Sequence, residues 1–306
     1  MDIAVFSDIH SNYVAFQRCL DEALERGIET FIFLGDYLGD LAYPQRTMDI
    51  LYTLKERYQC YFIKGNKEDY WIYHESNSDW HWKSGSSSSG ALYYTYENIT
   101  PEDLAFFEGL HVTETIRIDG MEPITACHGS LYKNNEKMIP EDERTIQMVS
   151  ECESNLILCG HTHVRNVFAV GEKKVVNPGS VGAPIHSGGR AQFLILHAKQ
   201  DKWEPEFIQL AYDKEKVIHD LKDSGLIKIA PYWSLISSYL IMNGEIDHGN
   251  VLAEAARLCR LETGSVNWRD IPEIYWKKAV EAAVSKVVEK TCILWTPKEF
   301  CLPVTV

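Results

Sequence analysis

Short apolar runs, each followed at once by polar residues, recur along the first two thirds of the chain. Five of these runs have the composition of buried β-strands, which read as near-continuous apolar stretches when both faces of a sheet are covered. They span residues 3–6, 31–34, 60–63, 124–127 and 156–159. Helical periodicity separates the first three, so residues 1–65 predict the order strand, helix, strand, helix, strand. That order is typical of a parallel sheet with crossover helices.

The first of these helices has a clear start signal. Phe16, Leu20 and Leu24 recur at helical spacing, and Ser11 and Asn12 precede them. Serine and asparagine side chains accept hydrogen bonds from the free N–H groups of a first helical turn. We therefore expect the helix cap at one of these two residues.

The second half of the chain predicts a further sheet. Strand-like runs lie at residues 113–118, 124–127, 156–159, 174–176, 192–197 and 206–210. Together with the strands of the first half, they would form two packed sheets covered by helices. The predicted fold class is therefore α/β, or α+β in the broader sense.

An aromatic-rich insertion at residues 70–100 interrupts the succession of predicted strands and helices. A serine and glycine run at residues 84–90 is flanked by six aromatic residues: Trp71, Trp80, Trp82, Tyr93, Tyr94 and Tyr96. Serine and glycine favour a flexible loop at the tip. The aromatic side chains could form a lid that stacks a base or ring, or they could be buried against the body of the domain. The sequence leaves both open.

Residues 213–306 change to a helical pattern. Helices are predicted at residues 213–224, 249–261 and 274–290, with Pro231 and Gly244 as breakers between them. We therefore divide the chain into a domain of residues 1–212, which includes the insertion, and a helical C-terminal extension of residues 213–306. The extension could cap a cleft, mediate homo-oligomerisation or simply pack on the sheets.

Composition narrows the classes of function. The 306 residues carry a formal net charge of −14, so no basic field attracts duplex nucleic acid. Eight cysteines include no C-x-x-C pair, and Cys127 and Cys159 fall in predicted buried strands, which favours core packing over disulfides. No apolar run approaches the roughly 20 residues that cross a bilayer, and the chain enters a strand without a leader. We expect a cytoplasmic protein that does not bind membranes.

The polar residues after five predicted strands are the candidate chemistry. They occur as Asp8-Ile9-His10, Gly35-Asp36, Gly65-Asn66, His128-Gly129 and Gly160-His161-Thr162-His163. Taken singly, a Gly-Asp or Gly-Asn pair is an ordinary turn. As a set at strand ends, they offer seven oxygen or imidazole nitrogen donors, about what two adjacent divalent metals need once water fills the open positions. Two metals in one cleft favour phosphoryl chemistry.

These segments resemble the signature of the calcineurin-like metallophosphoesterase superfamily, which runs D-x-H, G-D, G-N, H and G-H-x-H. The segment Asn-Pro-Gly-Ser-Val-Gly at residues 177–182 resembles the bacterial branch of small phosphodiesterases, and the likeness covers roughly residues 1–210. The resemblance implies a four-layer α/β/β/α sandwich of two mixed sheets flanked by helices. It places the metals at the strand ends of one edge.

The resemblance also implies a role for each donor. One metal would be held by Asp8, His10 and His163, the other by Asn66, His128 and His161, with Asp36 as the bridge. A hydroxide shared by the metals would attack phosphorus in line with the leaving oxygen. Asp36, His128 and Lys67 would be the catalytic residues. Mixed imidazole and carboxylate ligation suits Mn, Fe or Zn better than Ca or an all-oxygen Mg site. Of these we expect Mn, with Fe or Zn as alternatives.

Lys67 departs from the family pattern, in which the position after Gly-Asn is often a histidine that binds substrate or protonates the leaving group. A lysine donates a strong hydrogen bond to phosphate, but its ordinary pKa of about 10.4 makes it a poor general acid. We expect Asn66 and Lys67 to bind esters whose leaving group needs little protonation. Phosphodiesters and nucleoside polyphosphates, dinucleoside polyphosphates included, meet this condition. Desolvation beside the metals could instead lower the lysine pKa enough for acid catalysis.

Three further residues are candidates for substrate contact. Arg165 follows the last ligand segment, and His186 and Arg190 follow residues 177–182. Either arginine could clamp a phosphate with two N–H groups, or could be an ordinary surface residue. The remaining histidines match no ligand position and are expected to be solvated or structural: His74, His81, His111, His197, His219 and His248.

Two other functions stay open at this point. The protein phosphatases of the superfamily read G-D-x-x-D-R-G, whereas residues 35–41 read Gly-Asp-Tyr-Leu-Gly-Asp-Leu, which disfavours a protein phosphatase. A phosphomonoesterase would be distinguished by comparing monoester and diester turnover. A non-catalytic scaffold that binds partners through the extension would not need all seven donors.

Overall fold

The structure is a computed structural model that describes residues 1–77 and 81–291, with the backbone alone for residues 288–291. Trp80 and the end of the predicted extension, residues 292–306, lie outside the described residues. The strands are β1 (Asp2–Phe6), β2 (Thr30–Phe33), β3 (Gln59–Phe62), β4 (Thr113–Ile116), β5 (Ile124–Cys127), β6 (Leu156–Leu158), β7 (Asn166–Val170), β8 (Lys173–Asn177), β9 (Ala191–Lys199) and β10 (Lys202–Leu210). The helices are α1 (Tyr13–Glu25), α2 (Pro44–Arg57), α3 (Asn66–Ser76), α4 (Gly90–Tyr96), α5 (Pro101–Glu108), α6 (Glu143–Glu151), α7 (Lys214–Asp223), α8 (Leu226–Ile229), α9 (Pro231–Asn243), α10 (His248–Thr263) and α11 (Glu273–Thr291).

The strands form two five-stranded sheets. The first has the order β10-β9-β1-β2-β3, in which β1, β2 and β3 are parallel and β9 runs antiparallel to both of its neighbours. The second has the order β4-β5-β6-β8-β7, in which β5, β6 and β8 are parallel. The sheets pack face to face and helices cover their outer faces. The predicted α/β sandwich of two mixed sheets is therefore confirmed.

Alternate residues of β1 enter two different hydrophobic cores. Ile3 and Val5 lie between the two sheets, where they pack with Ile32 of β2. Phe6 lies on the opposite face, in the core beneath the helices, and its ring centre is 5.6 Å from that of Phe16 in α1. A strand covered on both faces must be apolar at every position, which is why its sequence is a continuous apolar run.

Helix α1 begins where its start signal predicts. Asn12 Oδ1 accepts a hydrogen bond from the Ala15 N–H at 3.1 Å. Ser11 Oγ has a different role and accepts from the Gly39 N–H at 3.1 Å. Asn12 is therefore the cap, while Ser11 ties the segment after β1 to the loop after β2.

The serine run of the insertion is not the flexible exposed tip that its composition predicts. Ser86, Ser87, Ser88 and Ser89 are all buried, with exposed fractions of 6% or less. At Gly90, the first residue of α4, a side chain would collide with the backbone of α8. Small residues are needed here because the C-terminal helices pack directly on this segment, a contact that local sequence cannot reveal. The flanking Trp71 and Trp82 lie in the core under the helices, and Tyr94 in a neighbouring one.

The extension builds a core of its own between α9, α10 and α11, with Trp276 fully buried in it. Pro231 and Gly244, which the sequence marks as breakers between helices, are instead the first residue and the C-cap of α9. Proline suits the first turn of a helix, and glycine supplies the left-handed end. The serines inside α9 made this helix hard to recognise from the sequence. Two of them donate their hydroxyls to the helix itself, Ser237 to the Trp233 carbonyl at 3.0 Å and Ser238 to the Ser234 carbonyl at 2.8 Å.

Two predictions from the sequence concern membranes and homo-oligomers. Among the described helices, none combines the length and the apolar character that a membrane crossing needs. Homo-oligomerisation through the extension stays a prediction.

Candidate metal centre

The predicted ligands meet because they follow strands that end at one edge. Asp8 follows β1, Asp36 follows β2, Asn66 opens the helix after β3, and His128 comes directly after β5. Since β1, β2 and β3 are parallel, their carboxyl ends lie side by side, and crevices at such ends are where α/β proteins bind ligands. β5 and β6 deliver His128 and the segment after it from the facing sheet.

Five of the seven predicted ligands have positive φ angles. They are Asp8 (54°), His10 (50°), Asp36 (52°), His161 (66°) and His163 (56°). Residues with side chains seldom adopt this left-handed region, and such strain clusters at sites where surrounding structure enforces it. The backbone is therefore strained where the donor atoms converge.

Gly35 and Gly65 allow the ends of β2 and β3 to approach each other. A Cβ on Gly35 would lie 2.6 Å from Gly65 Cα, and a Cβ on Gly65 would lie 2.7 Å from Glu68 Oε2. Gly35 also has a φ of +96°, which a side chain would strain. Glycine is thus a steric requirement for placing Asp36 beside Asn66.

Glu68, which sequence analysis did not single out, holds this junction together. Its Oε2 accepts hydrogen bonds from the N–H groups of Asp36 at 3.0 Å and Gly65 at 2.8 Å, and its Oε1 accepts from the Tyr37 N–H at 3.0 Å. Burial raises the pKa of Glu68 to about 8, the Asp36 carboxylate adds to the rise, and the three N–H donors oppose it. The one sequence signal was its place three residues after the helix cap, where capping boxes carry glutamate.

Asp8, His10, Asp36 and His163 form a first donor group. One donor atom from each lies within 4.8 Å of the others. His163 Nε2 is 3.0 Å from His10 Nε2 and 3.2 Å from Asp8 Oδ1. Asp36 Oδ2 is 3.7 Å from His10 Nε2. The structure thus brings together the predicted ligands of the first metal and the predicted bridge.

A second donor group lies on the other side of Asp36. His128 Nε2 is 3.2 Å from Asn66 Oδ1 and 3.5 Å from Asp36 Oδ1. The ring centre of His161 is 5.2 Å from that of His128. Burial, with His128 nearby, lowers the pKa of His161 to about 4, so its imidazole is neutral and able to bind a metal.

Backbone carbonyls fix the orientation of two of the imidazole rings. His128 Nδ1 lies 2.7 Å from the Leu34 oxygen, and His163 Nδ1 lies 2.9 Å from the Ala183 oxygen. A carbonyl oxygen only accepts, so each neutral ring carries its proton on Nδ1 and turns the lone pair of Nε2 towards the cleft.

Acceptor atoms therefore face one another at the centre of the site. Asp8 Oδ1 is buried and has no hydrogen-bond donor within residues 1–77 and 81–291. Burial opposes the charge on Asp8, yet His163, His10 and His128 lower its pKa well below the usual range. Burial also opposes a charge on His10, but Asp40, Asp8 and Asp36 raise its pKa to about 10. Mixed oxygen and nitrogen donors that favour positive charge at their centre fit divalent metal ions.

Comparison with known families agrees with this geometry. The sequence pattern of the calcineurin-like phosphoesterase superfamily domain matches residues 1–201. The chain belongs to this superfamily. All seven predicted ligands lie within the matched part. An uncharacterised protein of Methanocaldococcus jannaschii is similar to this phosphoesterase, with 28% identity over 247 residues that make up 76% of this chain and 94% of the relative.

Solved structures share the fold at low sequence identity. A metallophosphoesterase from Sphaerobacter thermophilus matches with a TM-score of 0.60 and 21% identity, over 75% of this chain and 99% of its own. A hypothetical protein from Pyrococcus horikoshii OT3 matches with a TM-score of 0.66 and 20% identity, over 80% of this chain and 99% of its own. Residues 1–212 make up less than 80% of the chain. The likeness in fold therefore extends into the C-terminal helices.

Lys67 of this phosphoesterase is a half-buried cation. Its Nζ lies 3.1 Å from Asp40 Oδ1 and 5.6 Å from the centre of the Trp233 ring. Burial acts to lower the pKa of Lys67, but the carboxylates of Asp40 and Asp36 outweigh it and the net shift is upward. The alternative in which desolvation beside metals lowers this pKa stays a prediction. A catalytic or substrate-binding role for Lys67 stays a prediction.

The metal centre opens into a cleft of about 750 Å³, whose far wall comes from the C-terminal extension. Trp233 of α9, His248 and Leu252 of α10, and Trp268 line that wall. His248, expected to be solvated or structural, is desolvated: burial lowers its pKa to about 4, and its Nε2 lies 2.9 Å from Ser237 Oγ. Sequence reasoning missed these residues because the extension carries no motif that links it to the ligand segments.

The two arginines predicted to bind substrate lie away from the cleft. Arg165 is exposed, with its guanidinium carbon 5.2 Å from the centre of the Phe207 ring. Arg190 is also exposed. Neither is among the described residues that line the cleft, whereas His186 is. The structure does not bring the arginines to the metal centre, and substrate binding by them stays a prediction.

Proposed function

We propose that this protein is a metal-dependent phosphodiesterase that hydrolyses phosphodiester or nucleoside polyphosphate bonds, dinucleoside polyphosphates included. The observation that carries the proposal is the position of Asp36 between two donor groups. Its Oδ2 lies 3.7 Å from His10 Nε2 and its Oδ1 lies 3.5 Å from His128 Nε2. A carboxylate in that position would contribute an oxygen to each of two cations and offset their repulsion. The donors suit two Mn ions best, with Fe or Zn as alternatives.

The chain contributes a rigid set of donors to the reaction. When bound, two adjacent divalent ions acidify a shared water and offset charge on the phosphoryl oxygens. His128 and His163 are held by backbone carbonyls, and the Asp36 backbone is held by Glu68. A site fixed in this way need not reorganise when charge develops in the transition state, which is the main source of electrostatic catalysis.

Lys67 supports a diester or polyphosphate rather than a poorly activated monoester. It follows the ligand Asn66 and lines the cleft, so its ammonium group can donate a charge-assisted hydrogen bond to a phosphate oxygen. Its raised pKa makes it a poor proton donor to a leaving group. Esters whose leaving group departs with little protonation match this combination.

The size and lining of the cleft support a leaving group larger than a phosphate. Sites for small organic ligands measure about 300–1,000 Å³, and this cleft of about 750 Å³ is within that range. Tyr70 and Trp268 both line it, with ring centres 6.1 Å apart. Aromatic side chains of this kind stack on nucleobases. A nucleotide is therefore the substrate class that we propose.

The first experiment measures hydrolysis of bis-p-nitrophenyl phosphate by the full chain with and without Mn²⁺. We expect turnover that requires Mn²⁺ and falls about 100-fold or more in Asp36→Asn. Asp119→Asn, at an exposed turn, is the matched control and should keep full turnover. Equal turnover in the wild type and Asp36→Asn would overturn the proposal.

A second experiment decides between ester classes. The ratio of kcat/KM for the diester to kcat/KM for p-nitrophenyl phosphate should exceed one, and dinucleoside polyphosphates should be hydrolysed. A ratio well below one would identify a phosphomonoesterase instead.

A further inference from the structure

Asp40 connects the metal centre to the C-terminal extension. Its carboxylate is only 4% exposed. Asp40 Oδ2 lies 2.9 Å from His10 Nδ1, the ring nitrogen that faces away from the other donors. Asp40 Oδ1 accepts hydrogen bonds from Lys67 Nζ at 3.1 Å and from Trp233 Nε1 at 3.0 Å. One buried carboxylate thus joins a ligand, the cleft lysine and an indole that lies 193 positions further along the chain.

The orientation of the His10 ring depends on a side chain, whereas the rings of His128 and His163 are oriented by the backbone. Metal-binding imidazoles pass their second N–H to a carboxylate or carbonyl, and this contact fixes the ring. His128 and His163 use carbonyls of the backbone, which cannot rotate independently. His10 instead has a close contact with the side chain of Asp40, at 2.9 Å from Nδ1 to Oδ2, so the orientation of its ring depends on where that carboxylate lies.

The two groups that donate hydrogen bonds to Asp40 differ in how well they fix the orientation of its carboxylate. Lys67 offers a compact ammonium on a flexible stem, which stabilises charge but fixes little orientation. The Trp233 indole is rigid and its N–H only donates. The Trp233 ring is itself held, with ring centres 4.4 Å from His248 and 5.9 Å from Trp276. Trp233 is therefore the group best suited to fix the direction of the Asp40 carboxylate.

We propose that Trp233 is a positioning residue for the metal centre, where its indole N–H orients Asp40 and Asp40 holds His10 as a ligand. The C-terminal extension then completes the metal site in addition to lining the cleft. This inference rests on the metal centre of the proposed function. Its test measures ion binding and needs no substrate, so failure of the diester assay leaves it standing.

Trp233→Phe keeps a ring in place and removes the N–H. Isothermal titration of the metal-free full chain with Mn²⁺ alone should show one of the two sites weakened, with a Kd raised roughly 10-fold or more. Electron paramagnetic resonance of the protein loaded with Mn²⁺ should show a weaker coupled pair. The matched control is Trp203→Phe, because Trp203 is buried and likewise donates its indole N–H, to the Glu122 oxygen at 3.1 Å. A Kd in Trp233→Phe equal to that of the control would overturn the proposal.

A double-mutant comparison separates positioning from general damage. In an Asp40→Asn background, adding Trp233→Phe should change the Kd for Mn²⁺ by less than twofold, because the residue acts through the carboxylate. An equal loss of Mn²⁺ affinity in both backgrounds would overturn the inference that Trp233 acts through Asp40. If Trp233→Phe does not fold, benzothienylalanine at the same position keeps the shape of tryptophan without the N–H and gives the same two outcomes.

Discussion

Trp276 donates its indole N–H to Ser88 Oγ at 3.0 Å, across 188 positions of the chain. Beside this contact, Glu273 accepts hydrogen bonds from the N–H of Ser87 at 2.7 Å and from its hydroxyl at 2.6 Å. Ser87 Oγ in turn accepts from the Tyr232 N–H at 2.8 Å. The serine run of the insertion is therefore the surface on which the C-terminal helices dock.

Ser88→Ala tests this docking contact. The change leaves the buried indole N–H of Trp276 without its partner, so we expect the free energy of unfolding to fall by about 1–3 kcal/mol. Urea denaturation measures it. Ser285→Ala removes an exposed hydroxyl that bonds within α11, at 2.9 Å from the Glu281 oxygen, and should change stability by about 0.5 kcal/mol or less. Equal effects of the two changes would contradict the assigned role of Ser88.

Glu273 makes the docking contact sensitive to pH. Burial raises the pKa of Glu273, so the folded protein keeps this proton at pH values where the unfolded chain has lost it. Its contribution to stability is therefore largest below the ordinary glutamate pKa and declines as the pH rises through the raised value. Unfolding free energies of the wild type and Glu273→Gln, measured from pH 4 to pH 7.5, should differ most in favour of the wild type at the acidic end. A difference that does not vary with pH would refute this.

Gly35→Ala tests the close approach of β2 and β3. The new methyl group would meet the backbone of Gly65 in a strained conformation, and we expect a loss of about 3 kcal/mol or more together with weaker Mn²⁺ binding. Gly171 also has a positive φ, of +61°, but has open space where a Cβ would lie. Gly171→Ala should therefore cost only about 1 kcal/mol and leave Mn²⁺ binding unchanged. Similar losses in both variants would mean that φ alone, and not the contact, requires glycine at position 35.

Metal binding should stabilise the fold because the assembled donor groups exist in the folded chain and not in the unfolded one. At a free Mn²⁺ concentration of about 100 times the Kd, each site should add about 2.7 kcal/mol to the free energy of unfolding. Thermal unfolding with and without chelator measures the gain as a rise in Tm. Asp36→Asn should lose most of this rise, since the bridge serves both donor groups. A rise of the same size in that variant would show that the ions bind elsewhere.

Lys67→Gln should slow diester hydrolysis without changing its dependence on the leaving group. A fixed cation that contacts a phosphate oxygen stabilises the transition state equally for good and poor leaving groups, and its loss should lower kcat/KM by about 10- to 100-fold. A series of p-nitrophenyl and phenyl diesters measures this. A loss that grows steeply with the pKa of the leaving group would show instead that Lys67 transfers a proton.

The sequence alone predicted those parts of the fold and of the site that depend on local sequence patterns. A strand covered on both faces is a continuous apolar run, and the polar residues after it lie at the sheet edge, so Asp8, Asp36 and His128 were predicted together. The helix cap at Asn12 follows from local hydrogen bonding in the same way.

The rest depends on contacts between distant segments. Nothing near Asp40 in the sequence indicates that Trp233 bonds to it, or that His248 enters the same cleft. The buried serines read as a loop because their partners belong to α9 and α11. Arg165 was predicted from its nearness to the ligand segment, but its guanidinium lies over the Phe207 ring, and proximity in sequence did not bring it to the cleft.

The cleft is bounded on one side by the domain that carries the metal ligands and on the other by helices that come after it in the chain. Changes at wall positions such as Leu252 and Trp268 alter the space for a leaving group and leave the donor atoms untouched. Part of the space for a leaving group is therefore encoded outside the stretch of sequence that supplies the donor atoms, and selection can alter Leu252 or Trp268 while every donor is kept.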